Sequence, residues 1–316
     1  MNGQFKNIQQ LLDFFKDEEV CKNYYEKARW GETVVCPHCG CEKVYRTNRG
    51  YKCSNKECYK KFSVTVGTIF ENSKVPLRTW FAAMYLIYTA KKGISSVQLS
   101  VQLGITQKTA WFVLHRIREM LNDTTNAAPL NGMVEVDETY VGGKNKNRHK
   151  DKRVPNSQGR ASIDKTPVVG LIERNGKVLT FVSENTDANT LNKIIEDNVS
   201  KDAIIVTDAY KSYVGVKKKY KHVVVKHEAG GFYVVSDGVN KFHTQNIENF
   251  WSVFKRGYIG IYHYMSKKHL KRYCTEFGYR YNTRKLTSQE RFENALKNVG
   301  NARITYNGLI QKIINN

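Results

Sequence analysis

Val134-Glu135-Val136-Asp137-Glu138-Thr139-Tyr140 is a short β-branched run that ends an apolar strand in carboxylates. Two further stretches place an acid in a comparable setting. Ala203-Ile204-Ile205-Val206-Thr207-Asp208 is a continuous apolar run closing on an aspartate, the pattern of a strand covered on both faces. In His243-Thr244-Gln245-Asn246-Ile247-Glu248-Asn249-Phe250-Trp251, the residues Ile247, Phe250, Trp251 and the following Phe254 recur at i, i+3, i+4 and i+7, which predicts a helix with one apolar face. Glu248, Ser252 and Lys255 repeat that spacing on another face, so Glu248 and Lys255 lie two turns apart and point the same way. Carboxylates mounted on apolar elements need a compensating partner. In a chain of formal net charge +22, a pair of divalent cations is one.

Working outward, the spacing predicts strands over 133–141, 168–173 and 178–183, with Asn175-Gly176 as the hairpin turn between the second and third. A helix follows over 187–199, with Leu191, Ile194, Ile195 and Val199 on one side. Next come the buried strand at 203–206, a further strand near 222–225 and two closing helices. Three strands, a helix, a buried strand and more helices predict an α/β sheet of ribonuclease H type over 131–290. Residues 142–167 interrupt it with eight Lys or Arg against two Asp and no apolar periodicity. That insertion reads equally as a solvated loop and as an arm for DNA phosphates.

The first 130 residues have a different character. Residues 1–30 form a polar, helical leader with Leu11, Leu12, Phe14 and Phe15 on its apolar side. Five of the seven cysteines lie between Cys36 and Cys58, and Cys36-Pro37-His38-Cys39 with Cys53-Ser54-Asn55-Lys56-Glu57-Cys58 has zinc-ribbon spacing across 31–72. Cys36, Cys39, Cys53 and Cys58 are the expected ligands of one structural Zn²⁺. Cys41 reads as a spare ligand or a free thiol beside the site, His38 as a surface residue, and Cys21 and Cys274 as small core residues. Phe62 to Phe70 reads as a strand-like run ending the ribbon. Over 73–125, Pro76 opens one helix, and Ser95 and Gln98 have capping-box spacing at the start of the next. A turn at Gly104 leads to a helix whose Ala110, Val113, Leu114 and Ile117 form the core stripe. This is a helix-turn-helix pattern. In it, Gln107, Lys108, Trp111, His115 and Arg116 lie off the stripe as DNA-binding residues, together with Lys255 and Arg256 of the later helix. Residues 291–316 read as a C-terminal tail.

With 51 Lys and Arg against 29 Asp and Glu, and aromatic residues interleaved, the partner expected is nucleic acid. The first twelve residues are polar and the longest strongly apolar run, Trp80 to Tyr88, is too short to span a bilayer. The expected location is the cytoplasm, associated with the nucleoid.

Taken together, the chain resembles the DDE transposases of bacterial insertion sequences, in particular the branch with an N-terminal zinc ribbon related to the Merlin elements. The resemblance runs from Cys36-Pro-His-Cys39 through Phe62-Ser-Val-Thr-Val-Gly-Thr-Ile-Phe70, Val134-Glu-Val-Asp137-Glu-Thr-Tyr-Val-Gly-Gly143, Val206-Thr-Asp208 and His243-Thr-Gln-Asn-Ile-Glu248-Asn-Phe-Trp-Ser-Val-Phe-Lys255-Arg256 to Tyr258-Ile-Gly-Ile-Tyr-His263 and Phe277-Gly-Tyr-Arg-Tyr-Asn282. It implies Asp137, Asp208 and Glu248 as the catalytic triad holding two Mg²⁺ or Mn²⁺ ions, with Lys255 as the accompanying basic residue. Some relatives carry Asn as the third member. Asn246 and Asn249 flank Glu248 here, and a carboxylate holds a hard cation better than an amide. The resemblance further implies binding to terminal inverted repeats and target DNA as a homodimer or higher oligomer, with strand cleavage followed by strand transfer. The other readings are a DNA-binding regulator that has lost catalysis and a nuclease of the same fold that never joins ends.

Overall fold

The computed structural model describes residues 5–121, 128–143, 145, 149–155, 165–226, 234–302 and 304–311. The chain divides into two compact units, Met1–Asp123 with Thr283–Asn316, and Thr124–Asn282.

The first unit opens with helices α1 (Ile8–Phe14) and α2 (Glu18–Trp30), begun where Asn7 and Asp17 accept hydrogen bonds from the Gln10 and Val20 backbone N–H groups. A three-stranded antiparallel sheet follows, β1 (Val44–Thr47), β2 (Gly50–Cys53) and β3 (Lys61–Phe62). The expected strand over 62–70 stops after Phe62. Hydroxyls take over the backbone there: the Thr68 hydroxyl donates to the Thr65 carbonyl at 2.6 Å and accepts from the Phe70 N–H at 3.1 Å, and Gly67 sits at φ 76°. Side chains that bond their own neighbourhood compete with a ladder and fold the run into successive turns. Helices α3 (Leu77–Thr89), α4 (Ser96–Leu103) and α5 (Gln107–Met120) complete this part. Ser95 caps α4 by accepting from Gln98 N–H at 3.1 Å, Gly104 turns the chain in the left-handed region at φ 63°, and Thr106 caps α5.

The second unit is built on a five-stranded sheet. Its strands are β4 (Met133–Val141), β5 (Thr166–Glu173), β6 (Val178–Val182), β7 (Ile204–Thr207) and β8 (Lys221–Val224), in the order β6-β5-β4-β7-β8. The hairpin strands β5 and β6 run antiparallel to each other, and β5 runs antiparallel to β4, whereas β4, β7 and β8 are mutually parallel. In sequence order this is 3-2-1-4-5, the ribonuclease H arrangement predicted from the strand pattern. Helix α6 (Ala188–Asn198) buries Leu191 and Ile195 against Val134, Val136, Val169 and Leu171 on one face. A small hairpin, β9 (Val235–Ser236) with β10 (Lys241–Phe242), leads into α7 (Gln245–Gly257). Helix α7 and α8 (Lys267–Asn282) cover the other face, where Ile247, Phe250, Trp251, Phe254, Leu270 and Phe277 pack with Val141, Val168 and Ile172. Half of the basic insertion at 142–167, residues 144, 146–148 and 156–164, lies outside the described residues.

From Thr283 the chain belongs again to the first unit, as α9 (Ser288–Lys297) and α10 (Tyr306–Ile310). A free tail from residue 291 is therefore not what forms. Phe292 is fully buried, with its ring 5.5 Å from Phe5 and 5.3 Å from Phe81, so the leader, α3 and α9 share one aromatic core.

Candidate active site and metal centre

Strand register brings the first two acids together. Parallel pairing aligns Val136 with Thr207, so Asp137, midway along β4, stands beside Asp208, the first residue past the end of β7. The carboxyl end of a parallel strand such as β7 is where ligands bind on an open α/β sheet. Asp208 accepts from the Tyr210 N–H at 2.9 Å, and the Thr207 hydroxyl lies 2.9 Å from His222 Nε2. The third acid arrives on α7, which approaches β4 and β5 closely because residue 170 is glycine. Gly170 pairs with Asp137 across the sheet, and a Cβ there would sit 2.6 Å from Trp251 Cζ2 and 2.8 Å from Ile247 Cδ1. Glu248 lies in the first turn of α7, with its Oε1 accepting from the Thr244 hydroxyl at 2.6 Å.

The electrostatics register this gathering. The Asp137 carboxyl is pushed up to about 7, first by burial and then by Glu138, with Asp208 and Glu248 adding to the rise. Glu138, Asp208 and Glu248 thus each oppose the ionisation of Asp137. Among the described residues, however, the three carboxylates do not meet within 4.8 Å of one another as the four cysteines do. They are gathered but not closed into a cage.

An open pocket of about 640 Å³ is lined by Asp137, Glu138, Glu248, Trp251, Lys255 and Arg256, together with Ser252, Ile259 and Gly260. Lys255 and Glu248 share it, as their seven-residue separation predicts. Arg256 is held by Ser252, whose carbonyl and hydroxyl take its guanidinium at 3.2 and 2.9 Å. Tyr213 had no signal in the sequence, and the Tyr258–His263 motif had no assigned place. Tyr213 is buried and donates to Glu138 Oε2 at 2.5 Å, and burial followed by the Glu138 charge holds its phenol protonated far above the ordinary range. Tyr258–Tyr262 forms a π-helical turn that carries Ile259 and Gly260 to the pocket rim. Of the two flanking asparagines, Asn249 is exposed. Asn246 has turned to Glu135, with its Nδ2 donating to Oε1 at 2.7 Å.

The cysteines form the second site. Cys36, Cys39, Cys53 and Cys58 offer sulfurs that all lie within 4.8 Å of one another, with Cys36–Cys58 at 3.9 Å and Cys39–Cys53 at 3.5 Å. A tetrahedron of Zn–S bonds of about 2.3 Å spaces its sulfurs by roughly 3.8 Å, so the donor set fits zinc. Cys41 is not in the group and instead approaches the Lys43 carbonyl and Ser54 hydroxyl.

The helical pair α4–α5 corrects part of the expected DNA-facing set. His115 is fully buried and Arg116 is 4% exposed. The Arg116 guanidinium donates to the carbonyls of Ile304 and Glu71, each at 3.0 Å, and lies over the Phe112 ring. Two carbonyls from separate segments make it a strut of the first unit. Trp111 is half-buried against His115. Gln107 and Lys108 remain exposed at the start of α5, with Gln107 donating to Ser96 at 2.8 Å and Lys108 lying 4.9 Å from the Tyr306 ring.

Comparison with known proteins agrees with this architecture. Residues 129–282 match the ISXO2-like transposase domain, and residues 16–61 match the transposase zinc-ribbon domain. An uncharacterized protein in transposable element ISH50 of Halobacterium salinarum is 30% identical over 212 residues, covering 63% of this chain and 70% of that protein. An uncharacterized transposase-like protein of Haemophilus influenzae is 30% identical over 114 residues, 36% of this chain and 87% of its own length. A solved pre-cleavage Mos1 transpososome aligns over 96% of this chain and 100% of its own at 15% identity, with a TM-score of 0.28. The chain belongs to the family of ISXO2-like transposases that carry a zinc ribbon ahead of the transposase domain.

Proposed function

We propose that this protein is an active DDE transposase that binds the terminal inverted repeats of its element and catalyses metal-dependent cleavage and joining of DNA strands. The observation that carries this reading is the acid cluster where β4 runs beside the carboxyl end of β7. Asp137, held near pKa 7 by burial and by its acidic neighbours, shares a pocket with Glu248, Lys255 and Arg256. An acid cluster beside two exposed cations suits a site that must hold both divalent metal and a phosphodiester.

Asp137, Asp208 and Glu248 would hold two Mg²⁺ or Mn²⁺ ions. When bound, these would supply an activated water or 3′-hydroxyl and stabilise the departing oxygen. The protein's own groups do the rest. Lys255 and Arg256 receive the phosphate backbone. Tyr213 orients Glu138 beside Asp137, and the closely packed Trp251 seats α7 so that Glu248 faces the strand ends. Asp137 must shed its proton when the cations enter, so loading couples to pH near neutrality. No covalent protein–DNA intermediate is required, so none of the nineteen tyrosines is assigned as a nucleophile.

In this reading one Zn²⁺ on Cys36, Cys39, Cys53 and Cys58 stabilises the ribbon. The pair α4–α5 acts as a helix-turn-helix, with Gln107 and Lys108 at the mouth of the groove-entering helix and Trp111 behind them. The protein works as a homodimer or higher oligomer on double-stranded DNA. The test is a cleavage and strand-transfer assay on element ends with Asp137→Ala, Asp208→Ala and Glu248→Ala. Each variant is expected to lose both reactions and keep end binding. Retention of cleavage in any of them removes that residue from the triad. Cleavage without joining of pre-cut ends by the wild-type protein identifies a nuclease instead.

A further inference from the structure

Helix α7, which carries Glu248, is capped from outside its own sequence. Its N-cap residue, Thr244, makes no side-chain cap bond. A threonine at this position ordinarily accepts from the N–H two or three residues on. Here those N–H groups, on Asn246 and Ile247, both donate to Glu135 Oε2, at 2.9 and 3.1 Å. The other oxygen, Glu135 Oε1, accepts from Asn246 Nδ2 at 2.7 Å and Arg174 Nη2 at 3.1 Å, with His243 Nδ1 at 3.4 Å. Arg174 extends the clamp, donating also to the Lys241 and His243 carbonyls in the segment that enters the helix. Glu135 is 0% exposed.

The position of Glu135 gives this cap a consequence. Residues i and i+2 of a strand share a face, so Glu135 stands on the same side of β4 as Asp137. A negative charge at the first turn also meets the positive end of the helix dipole. The strand that presents the first acid is thereby bonded directly to the first turn of the helix that presents the third. Thr244, relieved of the capping bond, donates its hydroxyl to Glu248 Oε1 at 2.6 Å.

We propose that Glu135 is the positioning residue of the acid cluster: it caps α7 from β4, sets Glu248 against Asp137, and leaves Thr244 to orient the Glu248 carboxylate for divalent metal. This rests on the triad proposed above, and the experiment separates the two. Mn²⁺ binding to the full-length, zinc-loaded protein is measured by electron paramagnetic resonance of the free ion, with Glu248→Ala as the reference variant. Glu135→Gln keeps the size of the side chain but turns an amide toward donors. It is expected to weaken Mn²⁺ binding about 10-fold or more, the usual scale for a group that orients a metal ligand, with zinc content and end-DNA binding unchanged. Thr244→Val, which leaves the cap intact, is expected to weaken Mn²⁺ binding in the same direction. Glu135→Gln combined with Asn246→Asp restores an amide–carboxylate pair with its direction reversed, and is expected to recover part of the loss. Unchanged zinc content and end-DNA binding in Glu135→Gln separate this positioning role from a general loss of structure. If Glu248→Ala weakens Mn²⁺ binding while Glu135→Gln and Thr244→Val bind as wild type does, the positioning role is refuted and the triad stands. If Glu248→Ala itself binds Mn²⁺ normally, the triad fails first. Should Glu135→Gln lose its fold, Thr244→Val decides alone: unchanged Mn²⁺ affinity overturns the proposal and weakened affinity supports it.

Discussion

Replacing Asp137 by asparagine is expected to stabilise the metal-free protein while abolishing its chemistry. Burial and the neighbouring Glu138, Asp208 and Glu248 raise this carboxyl from 3.8 to about 7. Between those two values the folded state holds a proton that the unfolded chain has released. Raising the pH through that window therefore removes stability, and above about 7 the loss is complete. At about 1.4 kcal/mol for each pH unit, the full cost is about 4 kcal/mol. That figure is a ceiling, because the amide of the variant forgoes the backbone hydrogen bond that the carboxylate accepts at Glu138. With Tm moving about 2–4 °C per kcal/mol in a unit the size of Thr124–Asn282, the asparagine variant should melt roughly 5–10 °C higher at pH 8 in buffer without Mg²⁺ or Mn²⁺. At pH 5 the gap should shrink by more than half. Melting is followed by differential scanning calorimetry, in which the transition that moves with the substitution is that of the unit carrying the site. Added Mg²⁺ should then stabilise the wild type, which binds it in the folded state, and leave the variant unmoved. A variant no more stable than wild type at pH 8, or a gap that does not change between pH 8 and pH 5, would falsify the view that Asp137 is an electrostatically strained acid awaiting a cation.

Other outcomes follow from individual contacts. Gly170→Ala places a Cβ 2.6 Å from the Trp251 ring; overpacking of this kind costs about 1–3 kcal/mol, so activity should fall with α7 displaced and urea midpoints should drop, and wild-type values for both would disprove the tight seat. Cys53→Ser should leave zinc below one equivalent by elemental analysis and unfold the ribbon, since a module with so small a core depends on its metal. Lys108→Ala should weaken end binding with the melting temperature unchanged. Arg116→Ala, which strips the Ile304 and Glu71 carbonyls of their donor, should lower stability by about 1–3 kcal/mol. The reverse pattern in thermal melts and gel shifts would place Arg116, not Lys108, on the DNA.

What could be read in advance depended on whether the cause was local. The strand at 133–141 and the helix beginning at Gln245 follow from periods of two and 3.6 within a few residues, and both formed where the pattern put them. The placement of Asp137, Asp208 and Glu248 was legible for the same reason: Asp137 lies within, Asp208 just past and Glu248 on the polar face of a strongly patterned element. His115 and Arg116 were misjudged because the stripe Ala110, Val113, Leu114 and Ile117 describes only one side of α5. The other side is covered by groups from Glu71 and Ile304, and no periodicity within α5 announces them. Phe292 was taken for tail because its partners, Phe5 and Phe81, lie more than two hundred residues earlier.

The third acid shows the same limit most sharply. Three neighbouring polar residues, Asn246, Glu248 and Asn249, differ on a helix by their angle about the axis, and the sequence orders those angles without saying what each one meets. Residue 246 meets Glu135 and residue 248 meets Thr244 and the pocket, whereas residue 249 meets solvent. Asn246 thus has a reason to be an amide that owes nothing to metal: it must donate to a buried carboxylate while its own N–H donates to the same group. Asn246→Asp alone would set two carboxylates against each other beneath α7, and should lower both the melting temperature and activity. Asn246→Ala should cost only the single side-chain bond, about 1 kcal/mol. If instead Asn246→Ala retained full stability and lost all strand transfer, Asn246 would belong with the metal ligands and the assignment of Glu248 would have to be given up.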